Sequence, residues 1–385
     1  MAGKRGDGEG TIRQRKDGLW EAAYSYRDAL GNLKRRSLYA KTQREVSEKL
    51  RAALRTLDQG EAINTDRQTV AQFLDRWLED VVKPSVRPKT HHSYAQLVRL
   101  HLSPGLGKHQ LAKLMPQHLQ AFMNLKLADG LSPRTVQYLR AILRRALGQA
   151  LKWGLVSRNV ATLVDPPSVE RKEMKAFIPE QAQHFLGVVR GDRLQGLYTV
   201  ALSLGLRQGE ALGLRWQDID FAAGTLRVAV ALQKINGQPP RLVEPKTKKS
   251  RRMLPVPAPL LAQLKAHRTR QHSERLAAGE RWVGEQWDLV FCNTYGGPLD
   301  ASHVVTAFKK HLTRAGLPSI RFHDLRHSCA SLLVAQGTHP REIMEILGHS
   351  TITLTMNTYA HVMPQAQRNA LTALSGALFL DALSG

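Results

Sequence analysis

The sequence predicts a multidomain chain, mainly α with α+β parts, and three observations carry that reading. Strand-like runs are confined to the first 41 residues and to one later stretch. Elsewhere apolar residues recur at the three- and four-residue spacing of amphipathic helices. The 385 residues, 42% of them hydrophobic, suffice for two or three separate cores. Composition shifts then divide the chain into residues 1–62, 66–164, a linker over 165–174 (Asp165-Pro166-Pro167 and a charge run), and 175–385.

The first block predicts an N-terminal three-stranded sheet backed by one helix. In GTIRQRKDGLWEAAYSYRDALGNLKRRSLYAK (residues 10–41), Ile, Trp, Tyr and Leu gather in short runs. Turn signals separate them at Lys16-Asp17-Gly18 and Leu30-Gly31-Asn32. Thr42-Gln43-Arg44-Glu45 is a capping box in sequence: its hydroxyl and carboxylate, three residues apart, can each accept a backbone N–H at a helix start. Val46, Leu50, Leu54 and Leu57 then share one face.

The second block predicts a central all-α bundle. Val70, Phe73, Leu74, Trp77, Leu78 and Val81 form one stripe, expected to end at Lys83-Pro84 because proline brings no backbone donor. A second helix is expected from Pro88 to about Leu102, stopped by Pro104-Gly105, and a third after Pro116. Ser132-Pro133 joins an N-cap to proline at the first helical position and opens a long helix through Val136, Leu139, Leu143, Leu147 and Leu151. Arg134, Arg140, Arg144, Arg145 and Lys152 on that helix are candidate contacts to a polyanion, set against the plainer reading of a solvated charged face.

The last block predicts a mostly α domain with a small antiparallel sheet. Thr225–Gln233 alternates as a strand, Asn236-Gly237 is a hairpin turn, and Arg241–Val243 and Arg251–Val256 supply two more strands. After Met363-Pro364, QAQRNALTALSGALFLDAL reads as an apolar-faced tail helix, docked on its own domain or on a neighbouring protomer.

Charge narrows the partner. Lys and Arg number 56 against 32 Asp and Glu, a formal +24, and a field of that size attracts polyanions, nucleic acid first. Cys292 and Cys329 lack CxxC spacing, so neither a zinc ribbon nor a disulfide framework is indicated, and a cytoplasmic setting is expected. The N-terminus has no apolar signal core, and ALTALSGALFL is too short and broken to span a bilayer, so no membrane partner is expected.

The chemistry gathers in RFHDLRHSCASLL (residues 321–333). If 323–335 is helical, Leu325, Cys329, Leu332 and Leu333 make the buried stripe, while His323 and Arg326 project from a neighbouring face near an anion-favouring helix N-terminus. Such a pair suits a phosphate, because guanidinium offers two donors and imidazole moves a proton. A zinc site through His323 and His327 would need the Glu of HExxH or a nearby Cys pair, and neither is present. Upstream, ALSLGLRQGEALGLRW places Arg207 and Glu210 three apart in an apolar run, between Gly205 and Gly209. A buried Arg needs a carboxylate or a bound phosphate. EPKTKKSRRMLPVP sets Lys246 at a turn, and EILGHSTITLTMNTYAHV holds His349 and Tyr359. No carboxylate cluster for Mg²⁺ and no GxxxxGK[ST] loop occurs. What is left is a metal-free, ATP-free phosphoryl transfer to a side-chain nucleophile.

The ordered series Arg207, Lys246, His323 and Arg326 in HDLRH, His349 in LGHS, and Tyr359 in TYAHV resembles the tyrosine recombinase or phage integrase family over residues 170–365. The resemblance implies that Tyr359 attacks a scissile phosphate, leaving a 3′-phosphotyrosine and a free 5′-hydroxyl. Arg207 and Arg326 would hold the non-bridging oxygens, Lys246 would protonate the leaving oxygen, His323 would assist proton transfer, His349 would hydrogen-bond the phosphate, and Glu210 would orient its neighbours. Lys246 is preferred to Lys248 and Lys249 for its PKTxxS context, and Gln208 departs from the small apolar residue usual in the family. It further implies no metal and no cofactor. Residues 66–164 would be a core-site DNA-binding domain and residues 1–62 an arm-type module. Double-stranded attachment sites of core and arm type, a homotetramer on DNA, and accessory bending or excision factors are the partners implied. A type IB-like DNA-relaxing enzyme is one rival; a non-catalytic DNA-binding regulator on the same scaffold is the other.

Overall fold

The computed structural model of the chain describes residues 10–27, 33–58, 68–170, 175–245, 250–348, 371–372 and 374–375. They fall in two compact units, Met1–Arg171 and Lys172–Gly385.

In the first unit, β1 (Thr11–Gln14), β2 (Trp20–Arg27) and β3 (Leu33–Ala40) form an antiparallel sheet in that order. Asp17 makes the first turn by accepting the Leu19 N–H; the Leu30-Gly31-Asn32 turn lies outside the described residues. Helix α1 (Gln43–Asp58) starts where expected, with the Thr42 hydroxyl accepting the Glu45 N–H at 3.3 Å. Its Val46 and Leu50 bury against Ala22, Tyr24 and Ala40 on one sheet face. The alternate register puts Arg13, Glu21 and Tyr39 in one row of the opposite face, with Ser25 and Arg35 beside them.

The helical part corrects two expectations. Neither Lys83-Pro84 nor Pro104-Gly105 ends its helix. After α2 (Val70–Trp77), a π-helical turn over Leu78–Val82 leads into α3 (Lys83–Ser85). After α4 (Pro88–Leu97), a second π turn over Val98–Leu102 leads into α5 (Ser103–Leu106). Each proline follows its π turn by two residues. The wider turn closes through the N–H of the residue before proline, Lys83 to the Leu78 carbonyl and Ser103 to the Val98 carbonyl. Each proline ring thus sits where the four-residue ladder is already interrupted, the circumstance in which helices tolerate it. The wide turn also moves the stripe, so Val82 is fully buried where Val81 was expected.

Helix α6 (Pro116–Ala128) precedes α7 (Pro133–Lys152), capped by the Ser132 hydroxyl accepting the Thr135 N–H. Val136, Leu139, Leu143 and Leu147 are buried, but Leu151 is 43% exposed and Ala150 takes the last core position. Trp77, Phe73 and Leu74 complete this core.

The second unit is built on α8 (Pro179–Val188), α9 (Gln195–Ser203), α10 (Gln208–Leu212), α11 (Ala258–Ala278), α12 (Ala301–Arg314), α13 (Asp324–Ala335) and α14 (Pro340–Leu347). An aromatic cluster of Phe185, Tyr198, Phe308 and Phe322 knits α8, α9 and α12 to the approach of α13. The expected single strand Thr225–Gln233 is two strands in different sheets. β5 (Thr225–Val228) lies between β4 (Ile219–Asp220) and β8 (Arg252–Pro255), whereas β6 (Ala231–Gln233) pairs with β7 (Arg241–Val243). The break has a packing cause: β6 lies against the end of α10, where a Cβ on Gly213 would sit 2.5 Å from the Leu232 nitrogen. Only a glycine lets the two backbones approach so closely.

Candidate active site

The site is organised by the carboxyl end of α14. Pro340 stands in its first turn, the His339 ring accepts the Arg341 N–H, and the helix closes on Gly348 in the left-handed region (φ 63°, ψ 47°). The final carbonyls of a helix have no partner within it, and they carry the negative end of its dipole. Here three successive carbonyls each receive a different guanidinium. Arg252 Nε donates to the Ile346 carbonyl at 2.6 Å, Arg326 Nη2 to that of Leu347 at 2.5 Å, and Arg207 Nη2 to that of Gly348 at 3.1 Å. Side chains from the α9–α10 junction, β8 and α13 thereby meet at one helix end.

Arg326 is the most buried of them, at 2% exposure, and its Nη1 donates to the Gly205 carbonyl at 2.7 Å. Gly205 is a built-in gap: φ is +60°, and a Cβ there would lie 2.4 Å from Leu347 Cδ2. Glycine at this point lets the loop before Arg207 pack onto the end of α14.

Glu210 joins the other two cations. Its Oε1 accepts from Arg207 Nη1 at 2.6 Å, and its Oε2 accepts from Arg252 Nη2 at 3.1 Å and from the Arg207 backbone N–H at 3.1 Å. Burial alone would raise its pKa, but Arg252 and Arg207 outweigh it and hold the carboxyl below the usual carboxylate range. The Arg207 side chain keeps about a third of its surface exposed, so it is anchored by protein acceptors yet reachable.

His323 occupies the position before α13, where its pKa is lowered first by desolvation and then by Arg326, with Arg321 and Arg207 adding to the effect. Its ring stands edge-on to His327 at 5.1 Å. His327 is pushed down to about 4 by burial and by its histidine neighbour. Both imidazoles are therefore neutral near pH 7. The Asp324 carboxylate accepts the backbone N–H and the guanidinium of Arg321. The expected stripe on α13 needs correction as well. Leu325 and Cys329 are buried, but Leu332 and Leu333 are half-buried and Val334 takes the interior place. Arg326 points inward, onto the Gly205 and Leu347 carbonyls.

Of the sequence-predicted residues, the fold thus brings together Arg207, Glu210, Arg326 and His323. Lys246, with Lys248 and Lys249, lies outside the described residues, as do His349, Tyr359 and most of the expected tail helix. In the first unit, Arg134, Arg144 and Lys152 are exposed on α7. Arg140 donates to the Val164 carbonyl, and Arg145 reaches Ser85 and stacks over Tyr94 at 5.7 Å. Sequence reasoning missed Arg252. A signal was present, because period-two alternation in Arg251–Val256 puts Arg252 on the same inward register as Leu254. Among the described residues no His, Cys, Asp or Glu group could hold a metal, and no helix is long and apolar enough to cross a membrane.

Anchored guanidiniums around a helix end, with neutral imidazoles beside them, define a site for an anionic oxygen-rich group on a helical multidomain scaffold. Comparison with known proteins specifies the class. Residues 175–366 match the phage integrase family and residues 69–127 the N-terminal SAM-like domain of phage integrases. A tyrosine recombinase XerC-like protein of Caldanaerobacter subterraneus is 32% identical over 365 residues, 91% of this chain and 93% of that one. The ICEBs1 integrase of Bacillus subtilis is 28% identical over 76% of this chain and 79% of its own. Among solved structures, the Tn1549 transposon integrase with transposon right end DNA aligns with a TM-score of 0.69 at 21% identity, covering 80% of this chain and 99% of that one. A lambda integrase tetramer bound to a Holliday junction aligns at 0.57 and 18% identity, covering 89% of this chain and 96% of that one. The chain belongs to the phage integrase family of tyrosine recombinases, and it is a site-specific DNA recombinase.

Proposed function

We propose that this recombinase integrates and excises a mobile element by cutting and rejoining duplex DNA through a 3′-phosphotyrosyl intermediate. The observation that supports this best is the pair Arg207 and Arg326, fixed on adjacent carbonyls at the end of α14, one residue before His349 in the chain. In this reading they hold the two non-bridging oxygens of the scissile phosphate and stabilise the charge that builds in the transition state. The Tyr359 phenolic oxygen attacks phosphorus while the bond to the 5′-oxygen breaks, and Lys246 supplies the proton that leaves with that oxygen as a hydroxyl. His323, neutral and able to accept, assists removal of the phenol proton. His349 donates a further hydrogen bond to the phosphate, and Glu210 orients Arg207. The phosphodiester bond is conserved as a tyrosyl ester, so a second 5′-hydroxyl attacks it, releases Tyr359 and joins the exchanged strand without ATP.

The wider machine follows the same reading. Residues 66–164 bind core-type sites, with Arg134, Arg144 and Lys152 directed at phosphates and Arg140 and Arg145 serving the bundle through Val164, Ser85 and Tyr94. The module of residues 1–62 binds arm-type sites, four protomers assemble on the paired DNA, and accessory bending or excision factors set direction. The test uses the full-length protein and a nicked half-site duplex carrying its attachment sequence. A covalent adduct stable to denaturant is expected from the native protein and none from Tyr359→Phe. Adduct formation by Tyr359→Phe, or its absence with the native protein, overturns the proposal.

A further inference from the structure

We propose that Arg252 is a positioning residue of the recombination site, acting through Glu210 and the end of α14 to set the placement and effective charge of Arg207. The inference rests on the phosphotyrosyl reading above. Arg252 is assigned no substrate contact because all three of its guanidinium nitrogens are engaged internally: Nε on the Ile346 carbonyl, Nη1 on that of Ser250 at 3.2 Å, and Nη2 on Glu210 Oε2.

Charge gives it a task. Glu210 stands between two guanidiniums, and the triad carries one net positive charge. Without Arg252 the carboxylate faces Arg207 alone, and the pair is neutral toward an approaching phosphate. Geometry gives it a second task. Arg252 grips the carbonyl one residue before the one Arg326 holds and two before the one Arg207 holds. Strand β8 is thereby tied to the helix end on which both phosphate-directed arginines are registered. Stability alone is a poor reason for the arrangement, since buried ion triads replaced by apolar groups of similar volume are often neutral or stabilising.

Full-length Arg252→Met, Arg252→Lys, Arg207→Lys and the double variant Arg207→Lys/Arg252→Met test the assignment. Three quantities are measured: the single-turnover rate of half-site adduct formation, the half-site Kd, and the melting temperature. Arg252→Met is expected to slow adduct formation about 10- to 100-fold, the scale of losses when a reacting group is displaced by a change remote from the chemistry, with Kd within about threefold of native by the same reasoning. Arg252→Lys regains part of that rate. In the Arg207→Lys background the further loss is under about threefold, because residues acting through one another are non-additive. The acid limb of the rate profile moves to higher pH in Arg252→Met, since Glu210 loses one of the cations that hold its carboxyl low; a purely structural role leaves that limb unmoved. Native rate in Arg252→Met overturns the assignment, as does an undiminished loss in the Arg207→Lys background or an unmoved acid limb. If Arg252→Met does not fold, Arg252→Gln, which also removes the charge, carries the same comparisons. In the same assay the native protein must form the adduct and Tyr359→Phe must not; failure there sinks the phosphotyrosyl reading, whereas a native-rate Arg252→Met sinks this assignment alone.

Discussion

Arginines at the end of α14 and arginines along α7 are the same residue type put to different uses. Around α14, Arg207, Arg252 and Arg326 have acceptors assigned before any ligand arrives, two of them being buried. Along α7, Arg134, Arg144, Arg145 and Lys152 are exposed and Arg140 is half-buried; Arg134 reaches Gln137, Arg140 the Val164 carbonyl, and Arg145 Ser85 and Tyr94. A long cationic side chain gives up roughly 1.5–2 kcal/mol of rotamer entropy when it is immobilised. At α14 that cost is met in folding, so a phosphate encounters donors that need not reorganise. On α7 it falls due at binding. The lesson is that net charge draws a polyanion in, but only acceptors within the protein convert a cation into an aimed one.

The largest effect that can break this comparison is at Arg326. Arg326→Lys keeps the charge but cannot reach the Gly205 and Leu347 carbonyls together, so one is left buried and unpaired at about 1–3 kcal/mol. It also withdraws a preorganised donor, for which losses of roughly 10²–10³ in rate are usual. Half-site adduct formation should fall by that factor, and denaturant unfolding should show the stability loss. A near-native rate in Arg326→Lys would show that charge alone suffices and that the aiming is incidental.

A smaller effect sharpens the same contrast through pH. In the folded chain His327 stays neutral down to about pH 4, with burial the main cause and His323 the next. The unfolded chain takes up that proton near 6.5. Between those values the unfolded state holds more protons, so stability is fully present above pH 6.5 and declines as pH falls through the window. The loss reaches about 2 kcal/mol at pH 5. Denaturant midpoints from pH 7 to 5 should fall in the native protein and fall less in His327→Asn. Equal slopes would remove the imidazole from this account.

How far the fold could be read in advance follows from how local each determinant is. Thr42 with Glu45 and Ser132 with Pro133 act within one turn of their own helix, and both helices start where those residues say. Pro84 and Pro104 misled because proline's penalty depends on whether the ladder is intact, and the π turns before them are settled by the packing of Val82 and Leu102. The break after Val228 depends on Gly213 touching β6 from a different element. At the site, Arg207 and Glu210 were legible because they lie three residues apart in an apolar run that demands pairing. Arg252 was legible only as an inward position, since nothing in its own strand reveals that the Ile346 carbonyl, 94 residues on, needs a donor.

The smallest effect tests the α7 half of the comparison. Arg144→Gln with Lys152→Gln removes two exposed cations whose side chains make no hydrogen bond or ion pair among the described residues, so stability should stay within about 0.5 kcal/mol of native. If both meet phosphates, core-site affinity drops and the slope of log K against log salt flattens by roughly 0.9 for each phosphate no longer neutralised. Arg145→Gln should behave otherwise. It loses the stacking on Tyr94 and the bond to Ser85, and destabilises the bundle by about 1 kcal/mol, the scale of such a cation–π interaction with its hydrogen bond. Fluorescence anisotropy across a salt series and thermal melts on the three proteins separate the two behaviours. An unchanged salt slope in the Arg144, Lys152 double variant would return those residues to an ordinary solvated face.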